Sequence, residues 1–240
     1  MDPRYAAYLR APVNAGANPP AGARLRFYIR ELADTTRASV TILDHEHKVV
    51  KSYATDAKDN KLEVVKGMNQ FGWDLKYPGA ESIDGMILWN GVPVELLAPP
   101  GTYYYTVKVG GDSVQGSFIV KADPNYQCSQ ADYDEQFRFL RQCLDKFNEV
   151  QKAIKGIRGL RTQFTDFVAK QGKDCPKDVK ALADSISKDL TGIEEVLYQT
   201  KSKSGQDVLN FPIRLNDKLS GVYQTAASGN MAPSRQVKEE

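Results

Sequence analysis

Residues 99–124 read Pro99-Pro-Gly-Thr-Tyr-Tyr-Tyr-Thr-Val-Lys-Val-Gly-Gly-Asp-Ser-Val-Gln-Gly-Ser-Phe-Ile-Val-Lys-Ala-Asp-Pro124, and this stretch decides the first half of the fold. In residues 102–109, Tyr103, Tyr105, Val107 and Val109 share one face, while Thr102, Tyr104, Thr106 and Lys108 share the other. That is the period of two required by a strand. Tyrosine and β-branched side chains suit a pleated surface covered on one side. Gly110-Gly111-Asp112 is a short turn able to take positive φ, and it leads into a second strand over 113–120.

The same period continues upstream. Leu25, Phe27 and Ile29 alternate with Arg24, Arg26, Tyr28 and Arg30, the pattern of a half-buried strand. Residues 40–44 and 48–53 predict a hairpin through His45-Glu46-His47. Further strand signals lie at 70–75 and 87–89. Short strands divided by Gly/Pro turns predict an antiparallel β-sandwich of the immunoglobulin or fibronectin kind over residues 24–123. Residues 1–23 read as an extended linker, because Asn14-Ala-Gly-Ala-Asn-Pro-Pro-Ala-Gly22 concentrates turn formers and offers little to bury.

After Asp123-Pro124 the period lengthens. Tyr133, Phe137, Leu140, Leu144, Phe147, Val150, Ile154, Ile157, Leu160, Phe164 and Phe167 recur about every 3.5 residues, a helical spacing. A second amphipathic run carries Val179, Leu182, Ile186, Leu190, Ile193 and Leu197. Between them, Gln171-Gly-Lys-Asp-Cys-Pro176 supplies a helix stop and a start. A shorter helix follows Pro212, with Leu215, Leu219 and Val222 on one side. The expected fold class is therefore α+β in separate domains: the sandwich, then a helical hairpin or bundle over 129–240. Residues 233–240 look like the first turns of another helix capped by Ser234, too short to be stable alone. The bundle is thus expected to be truncated, and the chain to be part of a longer protein.

Composition narrows the function classes. The chain has 240 residues with 41% hydrophobic and 26% charged, ordinary for a folded protein and unlike a wholly disordered chain. Its 32 basic and 30 acidic residues split as 14 and 14 before residue 129 and 18 and 16 after it. Neither half carries the basic excess of a nucleic-acid binder. No run approaches ~20 consecutive apolar residues, so no membrane span is expected. Cys128, Cys143 and Cys175 form neither a disulfide framework nor a C-x-x-C pair. Helix geometry separates them too widely to pair, which predicts three free thiols. The start has no signal-peptide run, so a true start at Met1 implies the cytoplasm.

Two strings carry a resemblance. Gly67-Met-Asn-Gln-Phe-Gly-Trp-Asp-Leu-Lys-Tyr-Pro78, then Pro99-Pro-Gly-Thr-Tyr-Tyr-Tyr-Thr-Val107, is similar to a bacterial Ig-like module also seen in flagellar hook-capping proteins. Residues 115–124, and Phe211-Pro-Ile-Arg-Leu-Asn-Asp-Lys-Leu219, extend the likeness. From about Asn14 to Gln236 the order of segments resembles the C-terminal region of bacterial BNR-repeat, sortilin-like "glycosyl hydrolase" proteins. In those, a β-propeller precedes an Ig-like domain and a helical bundle. The resemblance implies an exported, secreted or periplasmic parent whose N-terminal propeller is this region's partner. Hydrolase activity belongs to that propeller and does not carry over here. The motif residues Asn69, Trp73, Asp74, Pro100, Gly101 and Tyr103 are expected to be structural.

The remaining candidates are weighed on chemistry. His45 and His47 flank Glu46 at the hairpin tip, but no further ligand completes a metal site, so no metal or other cofactor is expected. The same scarcity of histidine leaves no Ser-His-Asp or Cys-His arrangement. No catalytic residue is assigned. Gly156 and Gly159, inside the long helix, are expected to let another helix approach closely. Lys152, Lys155, Arg158 and Arg161 form a basic stripe, expected to be a solvated face. Trp89, beside Asn90-Gly91, can stack on a sugar ring together with Tyr103 and Tyr105. The expected function is a non-catalytic accessory region that supports the propeller or contacts protein or polysaccharide. A carbohydrate-binding module and an export or assembly adaptor working by strand addition or helix pairing are the alternatives.

Overall fold

The structure is a computed structural model describing residues 21–33, 35–93 and 96–239. Antiparallel strands come first and helices follow. The strands are β1 (Ala23–Ile29), β2 (Ala38–Leu43), β3 (Val49–Ala54), β4 (Gly67–Trp73), β5 (Lys76–Tyr77), β6 (Leu96–Leu97), β7 (Gly101–Val109) and β8 (Asp112–Val120). The helices are α1 (Gln130–Gln171), α2 (Lys177–Leu197), α3 (Leu215–Ala227) and α4 (Arg235–Glu239). Of the expected linker, residues 1–20 lie outside the described residues, and Ala23 opens β1.

The described residues fall into two compact units, one drawn from 21–36 and 64–75, the other from 37–63 and 76–239. The first is built on the antiparallel β1–β4 pair, in register from Ala23 opposite Trp73 to Ile29 opposite Gly67. Alternation buries Leu25 and Ile29 from β1 and Asn69, Phe71 and Trp73 from β4. Trp73 is fully buried, and Asn69 shapes the turn that precedes its strand. The Asn69 side chain accepts from the Val65 amide at 2.8 Å and donates to the Val65 and Gly67 carbonyls. Gly22 lies so close to Trp73, at φ 94°, that only a residue without a Cβ fits.

The second unit holds a four-stranded sheet in the order β3-β2-β7-β8 and the short β5–β6 pair. Val40 and Ile42 of β2 are completely buried, as strand alternation demands. The expected hairpin through 45–47 is present, and its Asp44 carboxylate accepts the amides of Glu46 and Lys48 at 2.9 Å each. Gly116 of β8 makes room for the Tyr105 ring, whose hydroxyl would stand 2.5 Å from an added Cβ.

Ser129 caps α1 with a reciprocal box: its hydroxyl accepts from the Asp132 amide and its own amide donates to the Asp132 carboxylate. The α1 core runs from Tyr133 to Ile157, with Phe147 and Ile154 completely buried. Full burial of such a side chain contributes about 1.5–3 kcal/mol. Beyond Ile157 no α1 residue is buried, and Leu160 and Phe167 are exposed. Gly172, at φ 56°, ends the helix.

Four local expectations are corrected. Residues 87–89 are not a strand; the Ile87 and Trp89 amides bond to the Tyr198 and Asp217 side chains instead. The apolar row Leu215, Leu219 and Val222 does not make up the fully buried side of α3. Leu219 packs half-buried against Val150, Ile154 and Tyr198, whereas the buried residues are Asn216, Asp217, Ser220, Tyr223 and Ala226, because that helix grips a loop through polar groups. A Cβ at Gly156 or Gly159 would meet nothing within 4 Å, so no described helix exploits those glycines for close approach. The basic stripe is not simply solvated. Arg158 and Arg161 pair with Glu194, and Lys155 pairs with Glu81.

Candidate functional site

Two features of the second unit bear on function: a segment clamped to the helices, and a cleft.

Residues 78–93 contain no regular strand or helix. Buried backbone polar groups still need partners, and here the helices supply them. The Glu81 amide donates to Asn148 Oδ1 at 2.8 Å, and Gln151 Nε2 donates to the Glu81 carbonyl. The Ile87 amide donates to the Tyr198 hydroxyl at 3.0 Å. Asp217, 4% exposed, uses both carboxylate oxygens: Oδ2 accepts from the Trp89 amide at 2.8 Å and Oδ1 from the Asn90 amide at 2.9 Å. Ser220 donates to the Gly91 carbonyl at 2.6 Å. Beneath this polar layer, Ile83, Met86 and Leu88 pack against Val150, Ile154 and Tyr198.

The clamp fixes the backbone of Trp89 while its side chain stays open, at 57% exposure. A large ring on an immobilised backbone is a ready contact surface, because little conformational freedom remains to be lost on binding. Tyr198 also receives Arg158, whose guanidinium carbon lies 5.5 Å from the ring centroid. Arg158 Nε and Arg161 Nη2 reach the two oxygens of the buried Glu194 at 2.7 and 2.5 Å, and Arg161 Nη1 donates to Thr191 Oγ1. This network ties α1 to α2 at the level where the apolar core of α1 ends.

The cleft, about 730 Å³, lies between the 44–48 hairpin tip, the 99–102 turn and one side of α1. Tyr77, Tyr103 and Phe137 form its apolar part, with the Tyr77 and Phe137 ring centroids 4.9 Å apart. Arg141 lies over the Tyr77 ring at 6.0 Å. The Tyr103 hydroxyl donates to the Pro99 carbonyl at 2.9 Å, and Gln130 Nε2 bridges the Pro100 carbonyl to Asp134. Burial pushes the Tyr77 phenol up to about 12 and the Tyr103 phenol up as well. Both phenols therefore stay protonated at neutral pH and serve as hydrogen-bonding groups, not as bases. Lys48 holds the exposed Glu46 carboxyl below its usual range through a hydrogen bond.

The candidate residues separate accordingly. Tyr103 is interior, 3% exposed, and faces the cleft. Tyr105 is half-buried over Gly116, and both tyrosines stack on Phe118, at 6.5 Å for Tyr105 and 6.0 Å for Tyr103. Trp89 stands apart on the segment held by α3. Pro100 and Gly101 line the cleft mouth, and Asn69 and Trp73 are interior to the first unit. Asp74 follows directly after β4. His45 and His47 are exposed at the hairpin tip, with His47 stacked on Tyr104 at 4.2 Å. Cys128, Cys143 and Cys175 are free thiols, and burial pushes Cys143 up. Among the described residues, no group of three His, Cys, Asp or Glu side chains is placed to hold a metal ion. No described helix is long and apolar enough to cross a membrane.

Sequence reasoning missed Asp217, Tyr198 and Glu194. Asp217 lies within residues 211–219, yet its partners are 127–128 residues away. Glu194 had a readable signal: it sits on the apolar side of α2, four residues after Leu190 and three before Leu197. A comparison with protein-family models, with curated proteins and with solved structures returned no match to this chain in any of the three.

Proposed function

We propose that this chain is a non-catalytic accessory region that supports, and makes contacts for, a larger exported propeller protein of the glycosyl hydrolase-like kind. The observation that carries the reading is the clamping of residues 78–93 by side chains of α1, α3 and Tyr198. Helices here act as a brace for an irregular segment, which is a supporting role. The sandwich arrangement belongs to the same proposal; strand alternation that buries one face of a sheet is consistent with it. The test is a binding assay between the propeller and this chain, alongside glycoside and peptide hydrolysis assays on the chain alone. Binding without turnover is expected. Turnover by the chain alone overturns the proposal.

The exposure of Trp89 on a fixed backbone favours a second reading, carbohydrate binding. Glycan-array binding that disappears in Trp89→Ala supports it, and a silent array discards it.

A further inference from the structure

The two edges of the four-stranded sheet are built differently. The β3 edge is six residues long, carries Lys51, follows Lys48, and meets β2 with a register shift between Ile42 and Leu43. Charge and irregularity are the means by which proteins keep an edge strand from adding another. The β8 edge has no register shift, and its only charge is at its first residue, Asp112. It is nine residues long and pairs with β7 in unbroken register from Val109 opposite Asp112 to Gly101 opposite Val120. Residues 113–120 contain no charge and no proline. Val114 and Ile119 are 64% and 68% exposed. Among the described residues, no strand pairs with the outer side of β8.

The two-residue loop Gly110-Gly111 makes Val109 and Asp112 the closing hydrogen-bonded pair. Bonding then alternates along the ladder, so the amides and carbonyls of Ser113, Gln115, Ser117 and Ile119 point away from β7. Four residues thus offer donors and acceptors in the spacing an added antiparallel strand requires.

The geometry points to self-association: two copies of this chain join their β8 strands antiparallel about a two-fold axis, extending two four-stranded sheets into one. A second copy fits for two reasons. The nearest charges are Asp112 at one end and Lys121 at the other, so antiparallel pairing sets the acidic end of each strand beside the basic end of its mate. A parallel arrangement would set like beside like. The pairing also closes, because each outer edge of the joined sheet is a β3 strand protected by charge and bulge. Growth stops at two copies.

The test combines sedimentation of the full chain over a dilution series with amide exchange. The mass is expected to rise with concentration from 26.7 kDa to twice that value. The amides of Ser113, Gln115, Ser117 and Ile119 are expected to gain protection in step with the dimer. Ile119→Lys, at an exposed position, is expected to give a single monomer mass throughout. Ser117→Pro removes one outward N–H while sparing the β7 ladder and is expected to do the same. Val49→Lys, on the other edge, is expected to associate like the parent. A single monomer mass for the parent chain overturns the proposal. So does association that survives both β8 variants, or protection of the four amides that is independent of concentration.

Discussion

Both carboxylate oxygens of Glu194 are occupied by arginines one helical turn apart on α1, and the shorter bond, 2.5 Å, is to Arg161. Glu194 is 1% exposed, whereas the Arg158 and Arg161 side chains keep 36% and 29% exposure. Removing the arginines is therefore worse than removing the acid, since only the acid is left charged and dry. The double variant Arg158→Met, Arg161→Met is expected to lose roughly 3–5 kcal/mol of unfolding free energy. Glu194→Gln is expected to lose about 1–3 kcal/mol. Urea unfolding measures both, and equal losses would refute the argument.

Asp217→Asn keeps the size of the side chain but halves its acceptors and turns an N–H₂ toward an amide that needs one. A loss of roughly 1–3 kcal/mol is expected. The amides of Trp89 and Asn90 should exchange much faster, while those of β7 and β8 hold. Unchanged exchange at Trp89 would show that the clamp does not order the segment.

Alkaline titration reads the cleft. The Tyr77 phenol is raised to about 12, above an ordinary value near 10, chiefly by burial. A raised folded value gives stability that is complete below the unfolded pKa and lost as pH climbs through the folded one. Between pH ~10 and ~12 the chain should therefore lose on the order of 2 kcal/mol through this group. Tyrosinate absorbance should show Tyr77 and Tyr103 ionising after most of the 12 tyrosines, and Tyr77→Phe should shrink that late step.

Glycines of opposite kinds give a paired prediction. Gly159→Ala sits in open space inside α1 and should stabilise the chain by up to about 1 kcal/mol. Gly116→Ala drives a methyl into the Tyr105 ring and should destabilise it by roughly 1–3 kcal/mol. Thermal unfolding that moves the same way for both would contradict these surroundings.

What could be read in advance follows the range of the interactions involved. Alternation in 102–109 and the helical spacing that starts at Tyr133 are local properties, and the strand and long helix they imply are present. The stop at residues 171–176 is equally local, because glycine and proline act through their own backbones. The failures are all long-range. Residues 87–89 look like a strand by composition, yet Asp217 and Tyr198 take their amides. The α3 helix shows an apolar row, yet its polar side is interior because a loop needed hydrogen bonds there. Trp89 was visible as an exposed-aromatic candidate, but the group that holds it in place was not.

The clamp also has a consequence for the order of folding. During synthesis residues 78–93 emerge early and find no strand to join, and their partner Asp217 follows 127–128 residues behind Asn90 and Trp89. Until α3 has formed and docked, this stretch is a nascent chain with unmet amides and exposed Ile83, Met86 and Leu88. Docking of residues 78–93 therefore has to wait for α3, across a sequence separation that makes loop closure slow.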